Sequence, residues 1–125
     1  RKKNPESLDI EDTMLLSKAF VDLGNNIIIF PEGSRGDAGK LQRFRKGAIK
    51  FSMGLDIPIL PAIIKGTDKT WPKGEAFIKP GPISVKILPS FHPKKVENSS
   101  KEYNKTLSSE TVKLEKLIKK ELDNF

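Results

Sequence analysis

Met14, Leu15, Leu16, Ala19, Phe20 and Leu23 recur at steps of three and four residues. They lie between an acidic start (Asp9, Glu11, Asp12) and the stop signal Gly24-Asn25, and this spacing predicts a helix over residues 9–23. The period then changes. Ile27-Ile28-Ile29-Phe30 is an unbroken β-branched and aromatic run closed by Pro31, the pattern of a short strand buried on both faces of a mostly parallel sheet. Gly33, Gly36 and Gly39 make residues 31–43 irregular, and Lys46–Met53 reads as a short helix stopped by Gly54. A second buried strand is predicted at Ile59–Ile64. Two more, at Ala76–Lys79 and Ile83–Leu88, are separated by Pro80-Gly81-Pro82 and suit an edge ribbon. Past His92-Pro93, Ser99 and Glu102 have capping-box spacing, and Leu107, Thr111, Leu114, Ile118 and Phe125 line one face of a long C-terminal amphipathic helix. The order α, β, α, β, β, β, α predicts an α/β fold with a mixed, mostly parallel central sheet flanked by helices. Ligands of such folds collect beyond the carboxyl ends of strands, which directs attention to residues 31–46.

Composition narrows the chemistry. A chain of 125 residues fits one domain. The absence of cysteine removes disulfides, thiolate nucleophiles and cysteine metal sites, and a single histidine removes any multi-histidine site. No apolar run reaches the roughly 18 residues needed to span a bilayer. Residues 96–125 carry six basic and six acidic groups, a balance that suits packing of the last helix on the domain rather than on a membrane surface. The net charge of +7 is concentrated elsewhere: residues 35–50 hold six basic side chains and one acidic one. That centre suits an anionic partner, whether phosphate, anionic lipid or nucleic acid; a solvated lysine-rich surface is the alternative.

Phe30-Pro31-Glu32-Gly33-Ser34-Arg35 stands where the first strand ends. Pro31 stops the ladder, Gly33 lets backbone amides approach a ligand, Ser34 adds a hydroxyl, and Arg35 offers a planar fork of donors that matches a phosphate. Glu32 beside a phosphate makes sense where it orients Arg35 or accepts a ligand hydroxyl; otherwise the segment is a turn with a surface Glu–Arg pair. Arg43, Arg45 and Lys46 bracket the start of the next helix, where cations are unfavourable without a counter-anion. These residues with Arg35 form a candidate anion site. No phosphate-loop or dinucleotide glycine motif is present, which disfavours a nucleotide. His92, the one imidazole, lies on a loop far along the chain from the glycines and reads as a surface histidine.

These residues resemble the glycerolipid acyltransferase family, the 1-acyl-glycerol-3-phosphate acyltransferases in particular. The match runs through Ile27–Arg35, then Phe44-Arg45-Lys46-Gly47-Ala48, then Asp56-Ile57-Pro58-Ile59-Leu60-Pro61-Ala62, in the family's order, with Lys65-Gly66-Thr67 continuing it. The family's first block, a histidine and an aspartate four residues apart, is absent from the chain. In the family that histidine is the general base, so the resemblance implies that residues 1–125 are the C-terminal part of a single acyltransferase domain, inactive alone. It also implies that Glu32, Gly33, Ser34 and Arg35 contact the glycerol phosphate, Glu32 in a supporting catalytic role, with Arg1 joining the acceptor site. Ile57, Pro58, Ile59 and Pro61 would shape the acyl-donor side, or simply the core. The resemblance implies no metal and no tightly bound cofactor; acyl-CoA or acyl carrier protein is the cosubstrate, a lysophospholipid the acceptor, and the cytoplasmic face of a membrane the place of work.

Two other function classes compete. One is a non-catalytic lysophospholipid- or phosphate-binding module that kept the acceptor site. The other is a basic nucleic-acid-binding domain, which suits the charge but lacks aromatics interleaved with it: Phe44 and Phe51 are expected to face the core, and Trp71 stands apart.

Overall fold

Leu107, Thr111 and Leu114 are buried at helical spacing, and the element that carries them, α4 (Tyr103–Asp123), is the spine of the structure. The computed structural model describes residues 10–125. Before α4 come α1 (Ile10–Asp22), α2 (Gly47–Leu55), β1 (Ala62–Lys65), α3 (Thr67–Thr70) and β2 (Ser84–Ile87). Phe44 and Ile49 meet Leu107 and Leu114 in the core, with Leu41, Met53, Ile59, Phe91, Tyr103 and Ile118 packed around them. Ile49 is fully buried; full burial of such a side chain contributes about 1.5–3 kcal/mol. Among the described residues no helix is long and apolar enough to cross a membrane.

Helix ends depart from expectation for identifiable reasons. Gly54 lies inside α2, and the helix ends instead at Asp56, which takes a left-handed conformation (φ 54°). Gly54 serves a close approach: a Cβ there would press on the Met14 thioether of α1. The capping box at Ser99 and Glu102 does not form. Glu102 itself is the N-cap of α4, with no side-chain hydrogen bond.

The sheet differs more. Among the described residues it has two strands, β1 and β2, and they are antiparallel, with Ala62 opposite Ile87 and Ile64 opposite Val85. An isolated bridge joins Ile59 to Phe91. The expected strand at 27–30 has no ladder, and Ile28 and Phe30 are exposed rather than buried on both faces. Residues 76–79 are not a strand either: Pro80 and Pro82 lack the amide donors a ribbon needs, and β2 pairs with β1 instead. The mostly parallel sheet is therefore not seen among the described residues. What they do show is a two-faced ribbon. On one side Ile63 is buried, and Lys65 and Lys86 reach the end of α4, Lys86 pairing with Glu121 at 2.7 Å and Lys65 donating to the Phe125 carbonyl. On the other side Leu60, Ala62, Ile64, Val85 and Ile87 form an open apolar surface. Leu15, Leu16, Phe20 and Leu23 of the α1 region are exposed as well.

Candidate functional site

Pro31 lacks an amide, and the chain turns at once: Gly33 N–H donates to the Phe30 carbonyl, with Gly33 at φ 75°, a conformation that favours glycine. A Cβ at Gly33 would collide with the Arg45 guanidinium, so the bare backbone is what lets Arg45 lie across the turn. Arg45 N–H in turn donates to the Pro31 carbonyl at 2.8 Å, closing the loop at the entrance to α2. Glu32 does not pair with Arg35. Its Oε2 accepts the Gln42 amide at 2.7 Å, which ties the front of the loop to its back. Glu115 of α4 accepts the Phe44 amide at 2.8 Å, which fixes the same loop to the spine.

Arg35 lies over Trp71, its guanidinium carbon 4.8 Å from the ring centroid. The surface Glu–Arg pair that would have made this an ordinary turn is thus absent. Arg43, Arg45 and Lys46 immediately precede α2 in the chain, Arg45 lies against the turn at Gly33, and among the described residues neither these three nor Arg35 forms an ion pair with a carboxylate. The N-cap position, Lys46, supplies no side-chain cap. Unpaired cations at a helix entrance repel one another and the helix dipole, and an anion bound there relieves both. Ser34 and Arg35 are exposed and Glu32 is half-buried, so the loop is open to a ligand.

The structure does not bring every candidate to this place. Arg1 lies outside the described residues. Ile59 packs against the core cluster and Pro61 is buried, while Ile57 is half-buried and Pro58 exposed. His92 lies beyond the opposite end of α2, where it borders a shallow groove of about 250 Å³ with Ser52, Asp56, Ile57 and Lys95. A nine-residue helix is about 13 Å long, so His92 is no neighbour of the glycine loop. Its Nε2 is 3.1 Å from the Ser90 hydroxyl. Trp71, Gln42 and Glu115 escape sequence reasoning because they act through contacts distant along the chain. Only the lone tryptophan after Gly66 carries any signal.

The family model described as Acyltransferase matches residues 5–65, which include the glycine loop and α2. Over these residues, just under half of the chain, it is similar to the acyltransferase family. It is 36% identical over 101 residues to a 1-acyl-sn-glycerol-3-phosphate acyltransferase of Cocos nucifera, an overlap of 81% of this chain and 32% of that protein. It is 42% identical over 67 residues to the enzyme of the same name from Limnanthes alba, covering 54% of this chain and 24% of the relative. The crystal structure of the 1-acyl-sn-glycerophosphate (LPA) acyltransferase PlsC from Thermotoga maritima superposes with a TM-score of 0.70 at 28% identity, over 90% of this chain and 45% of that one. An α/β acyltransferase fold accommodates the described elements. The chain spans about a third or less of the length of these two plant relatives.

Proposed function

We propose that the protein transfers a fatty acyl group from acyl-CoA or acyl carrier protein to the free hydroxyl of 1-acyl-glycerol-3-phosphate, making phosphatidic acid at the cytoplasmic face of a membrane. Residues 1–125 are then the C-terminal part of a single acyltransferase domain. The observation that carries this reading is that Arg35, Arg43, Arg45 and Lys46, on and beside a loop already tied down by Gln42, Arg45 and Glu115, have no carboxylate partner among the described residues. A phosphate monoester supplies the missing negative charge, and Arg35 holds it with two parallel donors. Ser34 adds a donor, and the second oxygen of Glu32 accepts from a glycerol hydroxyl. By the family resemblance we also assign Arg1 to acceptor binding and Ile57 and Pro58 to the acyl-donor side.

The reaction forms an ester bond between the acceptor oxygen and the acyl carbonyl carbon and breaks the carbon–sulfur bond, and the thiolate takes up a proton. A base must remove the hydroxyl proton. His92 is too far from the loop to do so, and we assign the base to a His-x4-Asp pair in the parent protein. The parent also completes the mostly parallel sheet, with Ile27–Phe30 as one strand and the open face of β1 and β2 covered. The test is thiol release and phosphatidate formation by the full-length protein with acyl-CoA and lysophosphatidate. Release that depends on the acceptor phosphate is expected; equal rates with the dephosphorylated acceptor, monoacylglycerol, would overturn the reading. Residues 1–125 alone are expected to release no thiol, and release abolished by His92→Ala would move the base back into this chain.

A further inference from the structure

Arg35 is the cation of the glycine loop with an aromatic partner, and that partner is held by contacts that do not involve Arg35. Lys65-Gly66-Thr67 turns the chain sharply: Gly66 has φ 98°, and a Cβ there would strike the Pro82 carbonyl. The turn starts α3, and Trp71 N–H closes it on the Thr67 carbonyl at 2.8 Å. The indole Nε1 donates to the Glu75 carbonyl at 2.9 Å, which sets the plane of the ring. Lys79 N–H then returns to the Thr70 carbonyl at 2.8 Å, so the loop after Trp71 is pinned at both ends. Trp71 is nevertheless 46% exposed, and the Arg35 guanidinium lies over its ring.

We propose that Trp71 is a positioning residue for the acceptor: it holds the Arg35 guanidinium in the orientation that receives the phosphate. This rests on the reading of Arg35 as the phosphate ligand. An arginine on an exposed loop loses rotamer freedom when it grips an anion, and a ring that already restrains it removes part of that cost from binding. Contact with the ring face leaves the in-plane N–H donors directed outward and unspent, whereas a carboxylate partner would consume them. Trp71 therefore acts on acceptor affinity and not on the acyl donor or on the chemical step.

The test is steady-state thiol release by the full-length protein, varying lysophosphatidate and acyl-CoA in turn. Trp71→Leu is expected to raise the acceptor KM by about two- to five-fold, the span of an exposed cation–π contact, with the donor KM and kcat unchanged. Trp71→Phe keeps a ring face and should restore the acceptor KM to within about two-fold of the parent. In an Arg35→Ala background Trp71→Leu should add nothing. An unchanged acceptor KM, a joint rise in both KM values, or the same increment with and without Arg35 would overturn the proposal. Should Trp71→Leu lose its cooperative melt, Trp71→Met, which keeps bulk without a π-face, reads the same split. The two readings fail separately: Arg35→Ala without effect on acceptor KM defeats the phosphate site, whereas a raised KM in Arg35→Ala with a neutral Trp71→Leu defeats only the role of Trp71.

Discussion

The two faces of the β1–β2 ribbon differ in sequence and in surroundings. Ile63, on the face whose Lys65 and Lys86 reach the end of α4, is 4% exposed, whereas Ile87, on the other, outward face, is 65% exposed. Leu60, Ile64 and Val85 share that outward face. The mixed face, with Lys65 and Lys86 at its margin, is closed, and the wholly apolar face is open; an apolar sheet face of this kind suits a covering layer. On the proposal that the chain is the C-terminal part of a longer domain, the remainder supplies that layer.

The largest effect expected from this contrast is in stability. Ile63→Ala should cost about 2–5 kcal/mol in a urea melt, and Ile87→Ala less than about 0.5 kcal/mol in the 125-residue chain. In the full-length protein Ile87→Ala should rise towards the Ile63 value; if it stays near zero there, the open face is not covered by the rest of the domain. Glu115→Ala comes next. It strands the Phe44 amide, a loss of about 1–3 kcal/mol, and should also loosen the glycine loop, read as faster amide exchange at Gln42 and Phe44. A smaller cost, about 1–2 kcal/mol, is expected for Gly33→Ala from backbone strain, and the displaced Arg45 should weaken lysophosphatidate binding measured by calorimetry. The smallest effect is a pH dependence. The Lys86 ammonium bonded to Glu121 holds its carboxyl below the usual glutamate range. The stability this contributes is present above that range and is lost as the pH falls through the lowered value. Glu121→Gln should flatten that limb of the stability profile, and an unchanged limb would place the acid-sensitive contact elsewhere.

Much of the fold was legible where one period decided it. The stripe of Leu107, Thr111 and Leu114 marks α4, the β-branched run at 59–64 overlaps β1, and that at 83–88 contains β2. The run at 27–30 forms no ladder, because a strand of a parallel sheet is completed by neighbours and none pairs with it among the described residues. Gly54 shows a second limit: a glycine near a helix end marks a cap in sequence, yet here it makes room for Met14. In the candidate site, Glu32, Gly33, Arg35 and Arg45 could be picked out because their residue types suit a phosphate. The grip of Gln42 on Glu32 and of Trp71 on Arg35 could not, since nothing in residue spacing reports contacts 10 and 36 positions apart.

The claim that everything else depends on is that Arg35 receives the acceptor phosphate. The most direct measurement is the lysophosphatidate KM of the full-length protein carrying Arg35→Ala, taken beside the acyl-CoA KM in the same preparation. The account predicts an acceptor KM raised by about ten-fold or more, as for the loss of a charge-assisted bidentate contact, with the donor KM unchanged. An acceptor KM equal to that of the parent would contradict it.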